Sequence, residues 1–158
     1  MVNISHAWDK KFLKLAAEIA TWSKDPSRQI GAVAIGPNRN MLATGYNGFP
    51  RGVYDTEDRL TDRNEKYKFI VHAEMNCIYN ATHNGVSLDG AHLYVHGLPV
   101  CHECAKGVVQ VGIARVIMPD DVWVLDENIE NDKKWIESWR LTKQIFTEGN
   151  VVVNTIKL

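Results

Sequence analysis

Cysteine is scarce in this chain. Cys77, Cys101 and Cys104 are the only three among 158 residues, too few for a disulfide framework and in keeping with a reducing cytoplasm, where the protein is expected to reside. Long apolar runs are missing as well. None approaches the roughly 18 residues of a spanning helix, so no membrane partner is expected. The opening stretch, Met1 to Trp8, lacks the apolar centre of a secretory signal. Neither sign of charge is in excess: 18 Lys and Arg face 19 Asp and Glu, a net charge of −1. Polyanion binding by counterion release needs clustered basic side chains, so no nucleic-acid partner is expected. Internal repeats and low-complexity linkers are absent too. What remains is 45% hydrophobic and 23% charged, an ordinary globular balance. Residues 1–158 read as one domain, long enough to bury about 68–70% of the surface of the unfolded chain.

Two short stretches carry the chemistry. One is His72-Ala73-Glu74, the other Cys101-His102-Glu103-Cys104, with Pro99 two residues before the first cysteine. A histidine and a Cys-x-x-Cys pair make three good zinc donors. A closed structural site takes four protein ligands, whereas a catalytic one keeps three and leaves a place for water. The count here stops at three. Glu74 falls on the first turn after His72, where a carboxylate faces the water without ligating the metal and can move its proton. The order His-x-Glu, then Pro and Cys-x-x-Cys, resembles the signature of zinc-dependent nucleobase deaminases, although Val100 intervenes between Pro99 and Cys101. The bland alternatives are a redox pair, or a closed site that recruits His102, His96 or Cys77. A closed site would have no use for Glu74.

Periodicity outlines the elements around these motifs. Residues 5–23 read as a helix with Ser5 at its N-cap and an apolar stripe of Trp8, Phe12, Leu15, Ile19 and Trp22. Ile30–Gly36 and Met41–Tyr46, joined by a Pro-Asn turn, read as a hairpin. The glycine-rich loop Gly45–Gly52 is either a turn needing positive φ or a place where the Asn47 amide holds a sugar hydroxyl or base edge. Residues 53–70 read as a solvated loop with a helical turn, long enough to suggest a function. Helices are expected over 72–82, 104–110 and 129–148, and strands over 91–96, 114–118 and 151–156. Cys77 reads as a small buried hydrophobe. The acidic segment 119–131 would repel a polynucleotide backbone, which sets aside a polynucleotide deaminase. Strands alternating with helices after an early hairpin imply a mixed sheet covered on both faces, with the two metal-bearing helix starts side by side.

Four stretches together resemble the deoxycytidylate deaminase family: Ser23-Lys24-Asp25-Pro26-Ser27, Gly45-Tyr46-Asn47-Gly48-Phe49-Pro50, His72-Ala73-Glu74 and Cys101-His102-Glu103-Cys104. The resemblance runs from about Trp22 to Pro119. It implies a three-layer α/β/α sandwich with a five-stranded mixed sheet, of the cytidine deaminase-like kind. It implies hydrolysis of dCMP to dUMP and ammonia, supplying dUMP for thymidylate synthesis, with zinc held by His72, Cys101 and Cys104 and with Glu74 as the proton shuttle. For the substrate it implies Asn47 at the deoxyribose, the Ala73 backbone at the base, Lys24 and Ser27 near the 5′-phosphate, and Trp123 where the family carries an aromatic residue. Relatives are commonly hexamers activated by dCTP and inhibited by dTTP, each effector chelated with Mg2+. The allosteric region then corresponds to Gly45, Tyr46, Asn47, Gly48 and Arg51.

Overall fold

Helix α1 spans His6–Ala20, with Ser5 at the N-cap position but without a capping bond from its side chain. The structure, a computed structural model, describes residues 4–123 and 125–158, and of residues 122 and 123 it describes the backbone alone. Phe12 and Ile19 of the expected stripe are buried, yet Leu13, Ala16 and Ala20 complete the contact face. Trp22 is instead 58% exposed and meets the edge of Tyr46, ring centroids 6.2 Å apart. The cause lies in strand β1, Gly31–Ile35. A Cβ on Gly31 would stand 2.1 Å from the Ala16 carbonyl oxygen. The helix therefore rests on the strand's backbone, and only small side chains fit at that contact.

Strand β1 pairs antiparallel with β2 (Met41–Tyr46) and with β3 (His92–His96), while β3 pairs parallel with β4 (Arg115–Pro119) and β4 parallel with β5 (Val152–Ile156). The resulting order is β2-β1-β3-β4-β5, the mixed five-stranded sheet expected. Val33, Ile35, Tyr94 and Ile117 pack on the α1 side. Ala32, Ala34, Leu93, Val95, Val116 and Met118 pack on the opposite side, against α4 (Ala73–His83), α5 (His102–Gln110) and α6 (Glu130–Glu148). This gives the three layers. Strand β3 does not alternate buried and exposed as its sequence suggests. Its first four residues are all buried, because a central strand is covered on both faces.

On the α1 side, Asp9 is a buried charge that is fully paired. Its carboxylate accepts from Tyr94 Oη at 2.7 Å and from the Arg115 guanidinium at 2.9 and 2.8 Å. Nearby His92 is 1% exposed, and among the described residues neither ring nitrogen has a hydrogen-bond partner.

Residues 53–70 are more ordered than a solvated loop. They form α2 (Glu57–Thr61) and α3 (Arg63–Phe69), the second capped by Asp62, whose carboxylate accepts from the Asn64 and Glu65 amides. Lys66 on α3 is buried, which the charge pattern gave no reason to expect. No helix among the described residues is long and apolar enough to cross a membrane.

Candidate metal and substrate site

Both metal motifs sit where extended chain turns into helix. His72 is the N-cap of α4 and Cys101 the N-cap of α5, both with extended backbone, and Cys104 lies on the first turn of α5. The two helices pack closely through Gly107, where a Cβ would meet Met75 Sδ at 2.8 Å. Histidine Nδ1 lies 3.3 Å from Cys101 Sγ and 3.4 Å from Cys104 Sγ, and all three donor atoms fall within 4.8 Å of one another. Zinc bonds of about 2.3 Å to sulfur and 2.0–2.1 Å to nitrogen at a tetrahedral angle would set sulfur and nitrogen about 3.5–3.6 Å apart. The donor set therefore fits zinc in kind and in spacing. Among the described residues no fourth His, Cys, Asp or Glu joins this group, so the alternative of a closed site with His96, His102 or Cys77 has no support.

The local electrostatics favour a thiolate at Cys101. Cys101 is held down to about 4, first by a hydrogen bond from the Cys104 thiol and then by His72, against the opposing effect of burial. Cys104 is pushed up by the same bond and by burial, and a bound cation would replace the proton the pair shares. The Cys101 thiolate in turn raises His72. Glu74 is 3% exposed. Burial drives its carboxyl up to about 7, opposed first by His72. Such a group gives and takes protons readily near neutral pH. Cys77 is buried behind them, and its thiol is pushed up to about 12 by burial. It is an inert packing residue.

His72 lines a cavity of about 380 Å³, within the 300–1,000 Å³ typical of small-ligand sites. One wall carries Asp25, Ser27, Arg28, Asn47, Arg63 and Lys66. Leu125, Ile129, Asn131, Asp132 and Trp135 also line the cavity, all from chain beyond residue 119. On the polar wall Asp25 is the hub. Its Oδ1 accepts from the Ser27 and Arg28 amides at 2.8 and 3.3 Å and from Lys66 Nζ at 3.0 Å, and Lys66 also donates to Ser27 Oγ at 2.7 Å. The Arg28 guanidinium has no partner among the described residues, and that of Arg63 lies over the Tyr67 ring at 5.3 Å.

The structure sorts the residues singled out from the sequence. Ser27 lines the cavity. Lys24 does not: its side chain is 70% exposed and pairs with Asp55 at 2.7 Å. Asn47 lines the cavity, but its amide is committed to the fold. Its Oδ1 accepts from the Ile30 amide at 2.8 Å, and Nδ2 donates to the Arg28 carbonyl at 2.8 Å. Ala73 is fully buried at the first position of α4. A Cβ on Gly45 would lie 2.3 Å from the Cys77 nitrogen, so this glycine lets α4 rest on β2. Tyr46, Gly48 and Arg51 hold the same corner together. The Tyr46 carbonyl accepts from Asn76, Gly48 exchanges backbone bonds with Val71, and Arg51 donates to Asn80. The side chain of Trp123 lies outside the described residues.

Sequence reasoning missed Asp25, Lys66 and Trp135. For Asp25 a signal exists, since Asp followed by Pro-Ser commonly folds into a turn capped by its own carboxylate. For Lys66 nothing marks one lysine among many charges as buried.

Comparison with known proteins agrees with this geometry. Residues 6–119 match the sequence model of the cytidine and deoxycytidylate deaminase zinc-binding region. The chain is 35% identical over 96% of its length to a protein of Aliivibrio fischeri named "uncharacterized deaminase in luxG 3′ region", 95% of which is covered. It is 38% identical to human deoxycytidylate deaminase over 72% of this chain and 65% of that protein. The crystal structure of dCMP deaminase from the cyanophage S-TIM5 superposes with a TM-score of 0.72 over 97% of this chain and all of the other, at 21% identity, which speaks to the fold. A chain with this match, this fold and this donor set belongs to the zinc-binding cytidine and deoxycytidylate deaminase family.

Proposed function

We propose that the protein is a deoxycytidylate deaminase, converting dCMP and one water to dUMP and ammonia. The observation that carries this reading is the buried Glu74 carboxyl beside three converging metal donors, one of which, His72, lines a cavity that also bears Arg28, Arg63 and Lys66. Zinc, when bound, supplies the Lewis acidity that makes water a nucleophile at neutral pH. The chain's own residues do the rest. Glu74 takes a proton from the attacking water and gives it to N3 of the cytosine; it then takes the proton of the hydroxyl newly attached to C4 and delivers it to the departing amino group, leaving the C4 carbonyl of dUMP and ammonia. The Ala73 amide, one of the first-turn donors that α4 does not satisfy internally, holds the edge of the base. Arg28 and Arg63 suit the 5′-phosphate, and Ser27 and Asn47 stand between phosphate and base. Leu125, Ile129 and Trp135 give part of the cavity an apolar lining. The curated relatives named deoxycytidylate deaminases support the same substrate.

Regulation follows from the family resemblance: activation by dCTP and inhibition by dTTP, each with Mg2+, in a hexamer whose effector site includes Gly45–Arg51. The exposed Tyr46 and Trp22 rings beside that loop are in keeping with such a surface.

The deciding experiment compares initial rates of the zinc-loaded protein on dCMP, deoxycytidine and cytidine, with and without dCTP and dTTP. Charge-assisted contacts to the phosphate are each worth about 1.5–3 kcal/mol, so two of them favour dCMP over deoxycytidine by at least about a hundredfold in kcat/KM. Failure to turn over dCMP in the presence of dCTP, with cytidine consumed instead, overturns the substrate assignment.

A further inference from the structure

The loop that carries Cys101 is gripped from outside by helix α6. Thr142 is fully buried, and its Oγ1 donates to the Val100 carbonyl at 2.9 Å. One turn earlier, Ser138 is 6% exposed, and its Oγ accepts from the His102 backbone amide at 3.0 Å. The same oxygen lies 2.8 Å from His102 Nδ1. The opposite ring nitrogen faces Glu103 at 3.2 Å. The two hydroxyls thus fasten the residue before and the residue after the metal-ligating cysteine.

The spacing makes this possible. Residues four apart on a helix lie on one face, one above the other. The Val100–His102 segment runs past that face as it turns into α5. The His102 amide is one of the first-turn donors that no helix satisfies internally, and the Val100 carbonyl is deep in the core with no strand to pair with. Both needs are met by side chains rather than by water. The loop is thereby fixed in the conformation that aims Cys101 Sγ at His72 Nδ1.

We infer that Ser138 and Thr142 are positioning residues for the metal centre: a two-hydroxyl clasp on α6 that presets the Cys101 turn. Neither side chain ligates the metal or touches substrate. Their effect is on how tightly the three donors hold zinc and how fast they release it, since groups that orient metal ligands typically contribute tenfold to a hundredfold in metal affinity.

The test uses the full-length zinc protein. Ser138→Ala, Thr142→Val and the pair together are compared with Thr142→Ser, which keeps the hydroxyl. Phe146→Leu is the control, a buried α6 residue with no bond to the loop. Zinc release is followed against a colorimetric chelator, and the cobalt-substituted proteins are examined for their thiolate charge-transfer and ligand-field bands. Thermal unfolding is recorded alongside. The clasp predicts zinc binding weakened about tenfold to a hundredfold in the double variant, an altered cobalt spectrum, and near wild-type values for Thr142→Ser. It predicts that Phe146→Leu lowers the melting temperature while leaving zinc affinity and cobalt bands unchanged. Wild-type zinc release in Ser138→Ala and Thr142→Val overturns the inference. So does a Phe146→Leu protein that loses zinc as readily as they do, because the effect is then general loosening of α6. Should Thr142→Val fail to fold, Ser138→Ala alone decides, as the removal of a single hydroxyl.

Discussion

Replacing Lys66 by methionine keeps the side chain's length and removes its charge from a buried pair. Lys66 Nζ lies 3.0 Å from Asp25 Oδ1, with the two side chains 8% and 5% exposed. Removing one member of such a pair costs about 3–5 kcal/mol, because the other charge stays buried without compensation. Asp25 keeps the Ser27 and Arg28 amides, which places the cost at the lower end, about 3 kcal/mol. In a chain of this length each kcal/mol moves the melting temperature by about 2–4 °C. Lys66→Met should therefore melt about 6–12 °C lower at neutral pH. The pH dependence is the sharper test. Burial pushes the Asp25 carboxyl up, but the Ser27 amide, the Lys66 ammonium and the Arg28 amide together hold it below its ordinary 3.8. A depressed carboxyl stabilises the fold above its unfolded pKa, and that contribution disappears as pH falls through the folded value. Without the ammonium, burial meets less opposition and the carboxyl moves up. Protonation of folded Asp25 then relieves the variant in acid. The gap between wild type and variant is widest near neutral pH and narrows as pH approaches the carboxylate range. Thermal unfolding across that range reads it directly, with Asp25→Asn in the same background as a second arm. The double variant should cost less than the sum of the single ones, by about 0.5–3 kcal/mol of coupling. A gap that widens on acidification, or additive costs, refutes the pairing as an energetic unit.

Three further outcomes are expected. Glu74→Gln keeps zinc content and fold but loses at least about 10²–10⁴-fold in kcat; near-normal turnover removes Glu74 from the proton transfer. Gly45→Ala forces a methyl to within 2.3 Å of the Cys77 nitrogen and costs about 1–3 kcal/mol through overpacking, seen as a lower denaturant midpoint, whereas an unchanged midpoint shows that α4 can retreat without penalty. Burial, aided by the Arg115 charge, lowers the His92 pKa, so this ring favours the fold above its unfolded value of about 6.5 and opposes it progressively as pH falls below that. His92→Phe should flatten the loss of stability on mild acidification, and an unaltered pH profile would exclude His92 as its source.

Much of this molecule could be read from its residues. The metal triad and its carboxylate were legible because zinc chemistry restricts donors to a few residue types, and helix starts impose a short spacing on them. The sheet was legible because β-branched runs such as Val151–Val153 and Val116–Ile117 have few other uses. The α1 contact face was not, since its aromatic stripe suggests Trp22 inside, whereas the close approach at Gly31 selects alanines. Burial of Lys66 and Asp25 escaped for a related reason. Composition marks a charge as solvated, and only the tertiary fold can hand it a partner. The amide of Asn47, equally suited to a ligand or to a turn, is spent on the Arg28–Ile30 backbone, a choice local sequence leaves undecided.

The origin of the cavity's two walls has an engineering corollary. The three candidate metal donors and Glu74 all precede residue 119, whereas Leu125, Ile129, Asn131, Asp132 and Trp135 of the cavity lining follow it. The candidate reaction centre and one part of its vessel are thus encoded in separate blocks of the chain. Grafting the terminal block of a relative onto this one would reshape the chamber around an unaltered reaction centre, so changes of substrate can be sought by recombination at a single crossover point.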